Sequence, residues 1–127
     1  MILGTMPYYQ DYSLCQQTVT VYHYEDGTLT RTVLTGAYLD FKKTENVEKT
    51  GSTEANGFLF VYPCSTSPVA VGDKVMHGTG PEPAEGEDVA KWWRTFIPAK
   101  YVGLGVIKYV DPKYWAGQMV HVEAGGG

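Results

Sequence analysis

The sequence predicts a mainly β domain, a small β-barrel or sandwich of six to seven mostly antiparallel strands with one short helix and a long polar loop. Three observations predict it. Hydrophobic residues make up 43% of 127 residues, with 10 Tyr and 15 Gly, a balance that suits a β-rich globular domain better than a helical bundle or a disordered chain. Several short segments alternate β-branched and aromatic residues with polar ones, the period of a pleated strand. Turn-forming Gly, Pro and Asp separate these segments, and a single stretch carries helical spacing. At this length one domain, residues 1–127, can bury a core without staples.

Residues 1–16 form an N-terminal extension in which Tyr8, Tyr9 and Tyr12 serve either an interface or a barrel end. "QTVTVYHY", Gln17 to Tyr24, places Val19, Val21 and His23 on one face and Thr18, Thr20, Tyr22 and Tyr24 on the other. Asp26-Gly27 supplies the two-residue hairpin signal. The return strand should run from about Leu29 to Phe41, with Gly36 marking a bulge or bend. "KKTENVEKTGSTEANG" follows, with Val47 as its one large apolar residue, so a helix there would have no face to bury. It reads as a long exposed loop, 42–57, and loops of that length in compact domains are usually functional or disordered.

"FLFVYP" reads as a strand covered on both faces and ended by Pro63, and "SPVAVGDKVMHG" as a short strand pair around Gly72-Asp73. "TGPEPAEGE" has only loop character. The short helix is expected over 87–97: Val89, Trp92, Trp93 and Phe96 recur at i, i+3, i+4 and i+7, and Pro98 stops it. "YVGLGVIKYVD" and "GQMVHVEAG" read as two last strands joined by "DPKYWAG".

The net charge of −4 argues against wrapping DNA, which needs concentrated Lys and Arg, and Lys42-Lys43 is the one basic doublet. No stretch approaches the roughly 18 apolar residues of a membrane helix, and the start lacks the pattern of a secretory signal, so a soluble, cytoplasmically made protein with no membrane partner is expected. Cys15 and Cys64 match no metal or redox spacing and are expected as reduced, partly buried thiols.

Catalytic signals are thin. His121 and Glu123 share one face of a strand, two metal ligands at most, and read as an exposed polar pair. Cys64 lacks the local signature of a nucleophile, and "GLG", Gly103 to Gly105, lacks the spacing of a phosphate loop. No catalytic residue, cofactor or metal is expected. Trp92 and Trp93 project about 100° apart on a helix, so either one packs inward while the other reaches a neighbour, or both cap a barrel end. With Trp115 they are the candidate interface aromatics. A cavity lined by these three tryptophans would instead make the chain a small-molecule or peptide-binding β-barrel.

The ordered set "TVTVY", "RTVLTGAYLDFKK", a polar loop running into "TEANGFLFVYP", "VGDKVMHG" and "VIKYVDPKYWAGQMVHVEAGG" resembles the small head–tail connector proteins of siphophages and prophages, the head-closure, stopper or minor capsid proteins. The resemblance covers roughly residues 17 to 126, and its most specific parts are "TVTVY" with "RTVL", the set Asn46, Val47, Lys49 and Gly51, and the closing His121 and Glu123 followed by Gly. It implies a homo-oligomeric ring in the virion at the head–tail junction, built in the host bacterial cytoplasm. Its expected partners are the adaptor or portal ring and the tail-terminator or tail-tube proteins, with DNA passing without sequence-specific binding. By that analogy the candidate assembly or channel loop comprises Lys42, Lys43, Thr44, Glu45, Asn46, Val47, Glu48, Lys49 and Gly51. A tail-terminator or another minor capsid protein is the near alternative.

Overall fold

A computed structural model of the chain describes residues 12–42 and 57–126. The strands are β1 (Gln17–Glu25), β2 (Thr28–Phe41), β3 (Phe58–Pro63), β4 (Lys74–His77), β5 (Leu104–Val106), β6 (Tyr109–Trp115) and β7 (Gln118–Gly126), with one helix, α1 (Val89–Thr95), between β4 and β5. They form a mainly β, antiparallel sheet in the order β5-β4-β1-β2-β3-β7-β6. β5 and β6 are consecutive, separated by Ile107 and Lys108, so the two ends of that order are successive pieces of one run of chain. Ile107 N–H donates to Asp73 O at 2.8 Å and Lys108 N–H to Gly125 O at 2.7 Å, which ties the run to both sides as the sheet curls on itself.

The first hairpin follows its local chemistry. Asp26 and Gly27 both take positive φ, 53° and 80°, the mirror-image turn whose twist matches the flanking strands. Val19 pairs with Leu34 but Gln17 with Ala37, so β2 holds one extra residue beside Gly36, whose φ of 79° a glycine adopts freely. This bulge bends β2 so that its first half pairs with β1 and its last four residues, Tyr38 to Phe41, pair with β3.

Alternation along the strands separates two apolar clusters. Inside the curl, Val19, Val21, Leu39, Phe60, Val75, Ile107 and Val122 are buried together. On the outer wall of β1, β4 and β5, Tyr22 and Leu104 are buried under Trp92 of α1 and Phe96 at its C-cap. Asp88 caps α1, its carboxylate accepting from Lys91 N–H at 3.3 Å, and the helix is shorter than the 87–97 read from the sequence because its last turn ends at Phe96.

Three expectations need correction. β3 is not equally covered on both faces: Phe58 and Phe60 are buried in the core while Leu59 and Val61 are half-buried. The segment before Gly72 is a turn rather than a strand: Ala70 N–H is held by the Asp73 carboxylate at 2.9 Å and Asp73 N–H by Ala70 O, which occupies the groups a ladder would need. "DPKYW" belongs to β6, and the connection to β7 is the two-residue turn Ala116-Gly117, both at positive φ.

Candidate interaction surfaces

β2 and β3 stay paired up to the residues that flank the polar stretch. Phe41 pairs with Phe58, and Lys42 N–H donates to Gly57 O at 2.7 Å, so the β2–β3 ladder continues to the last described residue on each side. Lys42 is exposed at this stem; Lys43, Thr44, Glu45, Asn46, Val47, Glu48, Lys49 and Gly51 lie outside the described residues. Beneath the stem the Phe41 ring meets Phe58 and His77 with centroids 5.3 and 5.6 Å away. His77 Nε2–H donates to Leu39 O at 2.6 Å, which sets its tautomer. A groove of about 400 Å3 opens beside it, lined by Phe41, His77, Pro98, Tyr101 and the tip Val102 to Leu104, with Val102 96% exposed.

The tryptophans do not come together. Trp92 is buried, stacking on Phe96 at 4.5 Å and leaning on Tyr22. Trp93 is half-buried and stacks on Tyr24 at 5.5 Å. Both side chains therefore help to seat α1 against the outer wall of the sheet. Trp115 stands apart at the β6–β7 turn, 41% exposed, next to Tyr114 at 57%. Of the three, Trp115 offers the most open ring.

What holds Trp93 in place was not read from the sequence. Lys74, only 7% exposed in β4, donates from Nζ to Trp93 O at 2.8 Å and Phe96 O at 2.7 Å, and its ammonium lies 3.9 Å from the centre of the Trp93 ring. A cation on the last carbonyls of a helix is the favourable end of the helix dipole. Burial pushes the Lys74 pKa below the usual lysine value. A lone lysine within the apolar run "KVMH" is the available signal, but a lysine at a strand start is ordinarily read as solvated.

His121 and Glu123 are not an exposed pair. His121 is 2% exposed, because Tyr12 lies over it. With Nε2–H donating to Glu123 Oε2 at 3.0 Å, Nδ1 accepts from the Tyr12 hydroxyl at 2.8 Å, so both ring nitrogens have partners. Tyr12, Leu14, Cys15, Tyr38, Val61 and Glu123 border a shallow hollow there of about 240 Å3.

His23 has the opposite setting. Nδ1 lies 2.6 Å from Asp73 Oδ1 and Nε2 3.0 Å from Glu25 Oε1, so both ring nitrogens donate to carboxylates. The bond to Asp73, then that to Glu25, raises its pKa above the ordinary imidazole value. Cys15 and Cys64 are free and half-buried, and burial raises both thiol pKa values; Cys64 Sγ–H donates to Tyr62 O at 3.3 Å. Thiols held protonated in this way are poor nucleophiles at neutral pH. Among the described residues no three His, Cys, Asp or Glu side chains are grouped to hold a metal ion, and no helix is long and apolar enough to cross a membrane.

Comparison with known proteins identifies no relative: no family model matches the chain, and neither a curated protein nor a solved structure matches it.

Proposed function

We propose that the chain is a non-enzymatic virion protein of a tailed phage or prophage, a head–tail connector subunit of the head-closure or stopper kind. In this role it forms a ring below the portal or adaptor, retains packaged DNA and docks the tail. The observation that carries the reading is the β2–β3 stem. In a small curled β domain β2 and β3 stay paired up to Lys42 and Gly57, whose N–H and O meet at 2.7 Å, and the sequence between them, residues 43–56, is mostly polar. That arrangement accords with the sequence resemblance, in which the polar run between "LDFKK" and "TEANG" serves assembly or the channel. The net charge of −4 agrees with a wall past which DNA moves without adhering. The groove beside the stem and the aromatic pair Tyr114 and Trp115 at another turn would serve as contacts with ring neighbours. A tail-terminator or other minor capsid role would use the same features with different neighbours.

The test is immunogold labelling of tailed particles released by the source cells after induction, using antibody raised against the purified chain. Label at the head–tail junction is expected. Particles that carry tails but lack the chain, by labelling and by mass spectrometry, would refute the proposal.

A further inference from the structure

The two-residue period of β7 puts His121 and Glu123 on one face, and Val122 between them is buried inside the curl, so both polar side chains stand on the outside of the sheet. In register, Glu123 lies beside Val61 and Val61 beside Tyr38. His121 lies beside Pro63 of β3 and Lys113 of β6, whose ammonium is paired with Asp111 at 2.9 Å. The turn 12–15, closed by Cys15 N–H on Tyr12 O at 2.9 Å, crosses this face and bounds the hollow of about 240 Å3.

Three groups at the hollow are joined in a fixed order. Glu123 accepts from His121 Nε2–H, which leaves the Nδ1 lone pair to face the Tyr12 hydroxyl at 2.8 Å. A hydroxyl, an imidazole placed to take its proton and a carboxylate that orients the imidazole are the parts of an activated nucleophile. The imidazole is fixed in that pose, being 2% exposed with the Tyr12 ring edge-on at 5.5 Å, while Tyr12 is half-buried and borders the hollow.

The surroundings select the chemistry. Cys15 also borders the hollow, but burial keeps its thiol protonated and a poor competitor. Among the described residues that border it there is no Lys or Arg, and Glu123 adds a negative charge, so phosphoryl and sulfuryl donors are repelled. Leu14, Tyr38 and Val61 offer apolar walls to an acyl chain. A phenol, with an ordinary pKa of about 10, accepts an acyl group readily only from a leaving group of similar or lower pKa, such as a thiol of about 8.5 or another phenol.

We propose that Tyr12 is an acceptor site for a small apolar acyl group delivered by a neutral activated donor, a thioester or an aryl ester. Tyr12 Oη attacks the acyl carbonyl carbon while His121 Nδ1 takes the hydroxyl proton. The new ester bond forms, the bond to the thiolate or phenolate breaks, and that group leaves with the bonding electron pair. The imidazolium, steadied by Glu123, then returns the proton to the leaving group, so His121 ends as it began. Each chain takes up one acyl group without turnover, and the argument is independent of the connector reading. The ester removes the hydroxyl proton that Tyr12 shares with His121, and so unfastens the turn 12–15 from the sheet.

The experiment incubates the full chain with p-nitrophenyl acetate and locates the acetyl group by peptide mass spectrometry. One acetyl on Tyr12 is expected, formed about a hundredfold faster than on N-acetyltyrosinamide, the lower end of what a positioned base contributes. Glu123→Gln keeps an acceptor for Nε2–H but removes the charge that steadies the imidazolium. It should slow the labelling about tenfold while nitrogen-15 spectra show the native His121 tautomer, a loss that a merely structural carboxylate would not give. Labelling of Tyr12 no faster than of N-acetyltyrosinamide, acetylation of Cys15 or of an amine ahead of Tyr12, or full reactivity in Glu123→Gln would each overturn the proposal.

Discussion

Substituting Lys74 by Met isolates the force that seats α1. Met keeps the length and apolar stem of lysine but removes the ammonium, whose three losses can be counted. Phe96 O, buried at the helix end, loses its donor at 2.7 Å, worth about 1–3 kcal/mol for an acceptor left unpaired. Trp93 O loses a charged donor at 2.8 Å but keeps Phe96 N–H at 3.3 Å, so that loss falls near the lower end, about 1 kcal/mol. The cation over the Trp93 ring contributes about 1–2 kcal/mol when desolvated. Against these stands the desolvation of the ammonium, itself of several kcal/mol, which the variant recovers. The net expectation is a loss of about 2 kcal/mol, concentrated at the helix. Urea unfolding followed in parallel by tryptophan emission and far-UV circular dichroism reads it: the midpoint should fall, with emission shifting red ahead of the loss of β signal, because Trp92 and Trp93 report α1. An unchanged or raised midpoint with native emission would refute the reasoning and show that burying the charge costs more than its bonds return.

Further outcomes follow from the same contacts. His23 has a folded pKa raised above its unfolded value of about 6.5, so its contribution is fully present below that pH and is lost as pH rises through the folded value; the difference in urea midpoint between wild type and His23→Gln should be largest near pH 6 and narrow by pH 8.5, and a constant difference would contradict the paired-carboxylate account. Tyr12→Phe leaves His121 Nδ1 without its donor in a buried site and should cost about 1–3 kcal/mol by urea titration, with faster exchange at residues 12–16; an unchanged midpoint would mean that water replaces the hydroxyl. Gly105→Ala drives a Cβ into the Phe58 ring edge inside the core and should cost about 1–3 kcal/mol, measured the same way, whereas a neutral result would mean the Phe58 ring can turn aside.

The parts of the fold that depend on neighbours in sequence were legible before the structure. Val19, Val21 and Tyr22 show their faces by alternation, Asp26-Gly27 by turn chemistry, Gly36 by its place inside a long strand, and Trp92 and Phe96 by helical spacing. The site residues were less so. His121 and Glu123 were paired correctly along β7, but the burial of His121 comes from Tyr12, 109 residues away, which no local pattern records. Trp92 and Trp93 were recognised as exceptional, yet their partners Tyr22, Tyr24 and Lys74 come from strands that alternation alone cannot order.

The sequence by itself determined a mainly β domain, the position of its helix and a hairpin bent at Gly36, because propensity, period and turn conformation act over a few residues. Tertiary structure alone decided that the Ala70–Asp73 turn replaces a strand, that Lys74 is buried under a helix, that β5 and β6 join opposite ends of one curled sheet, and that β2 changes partner from β1 to β3 past Gly36. These outcomes depend on which distant backbone groups and side chains meet, and such pairings are settled by hydrogen-bond satisfaction and packing across the whole chain.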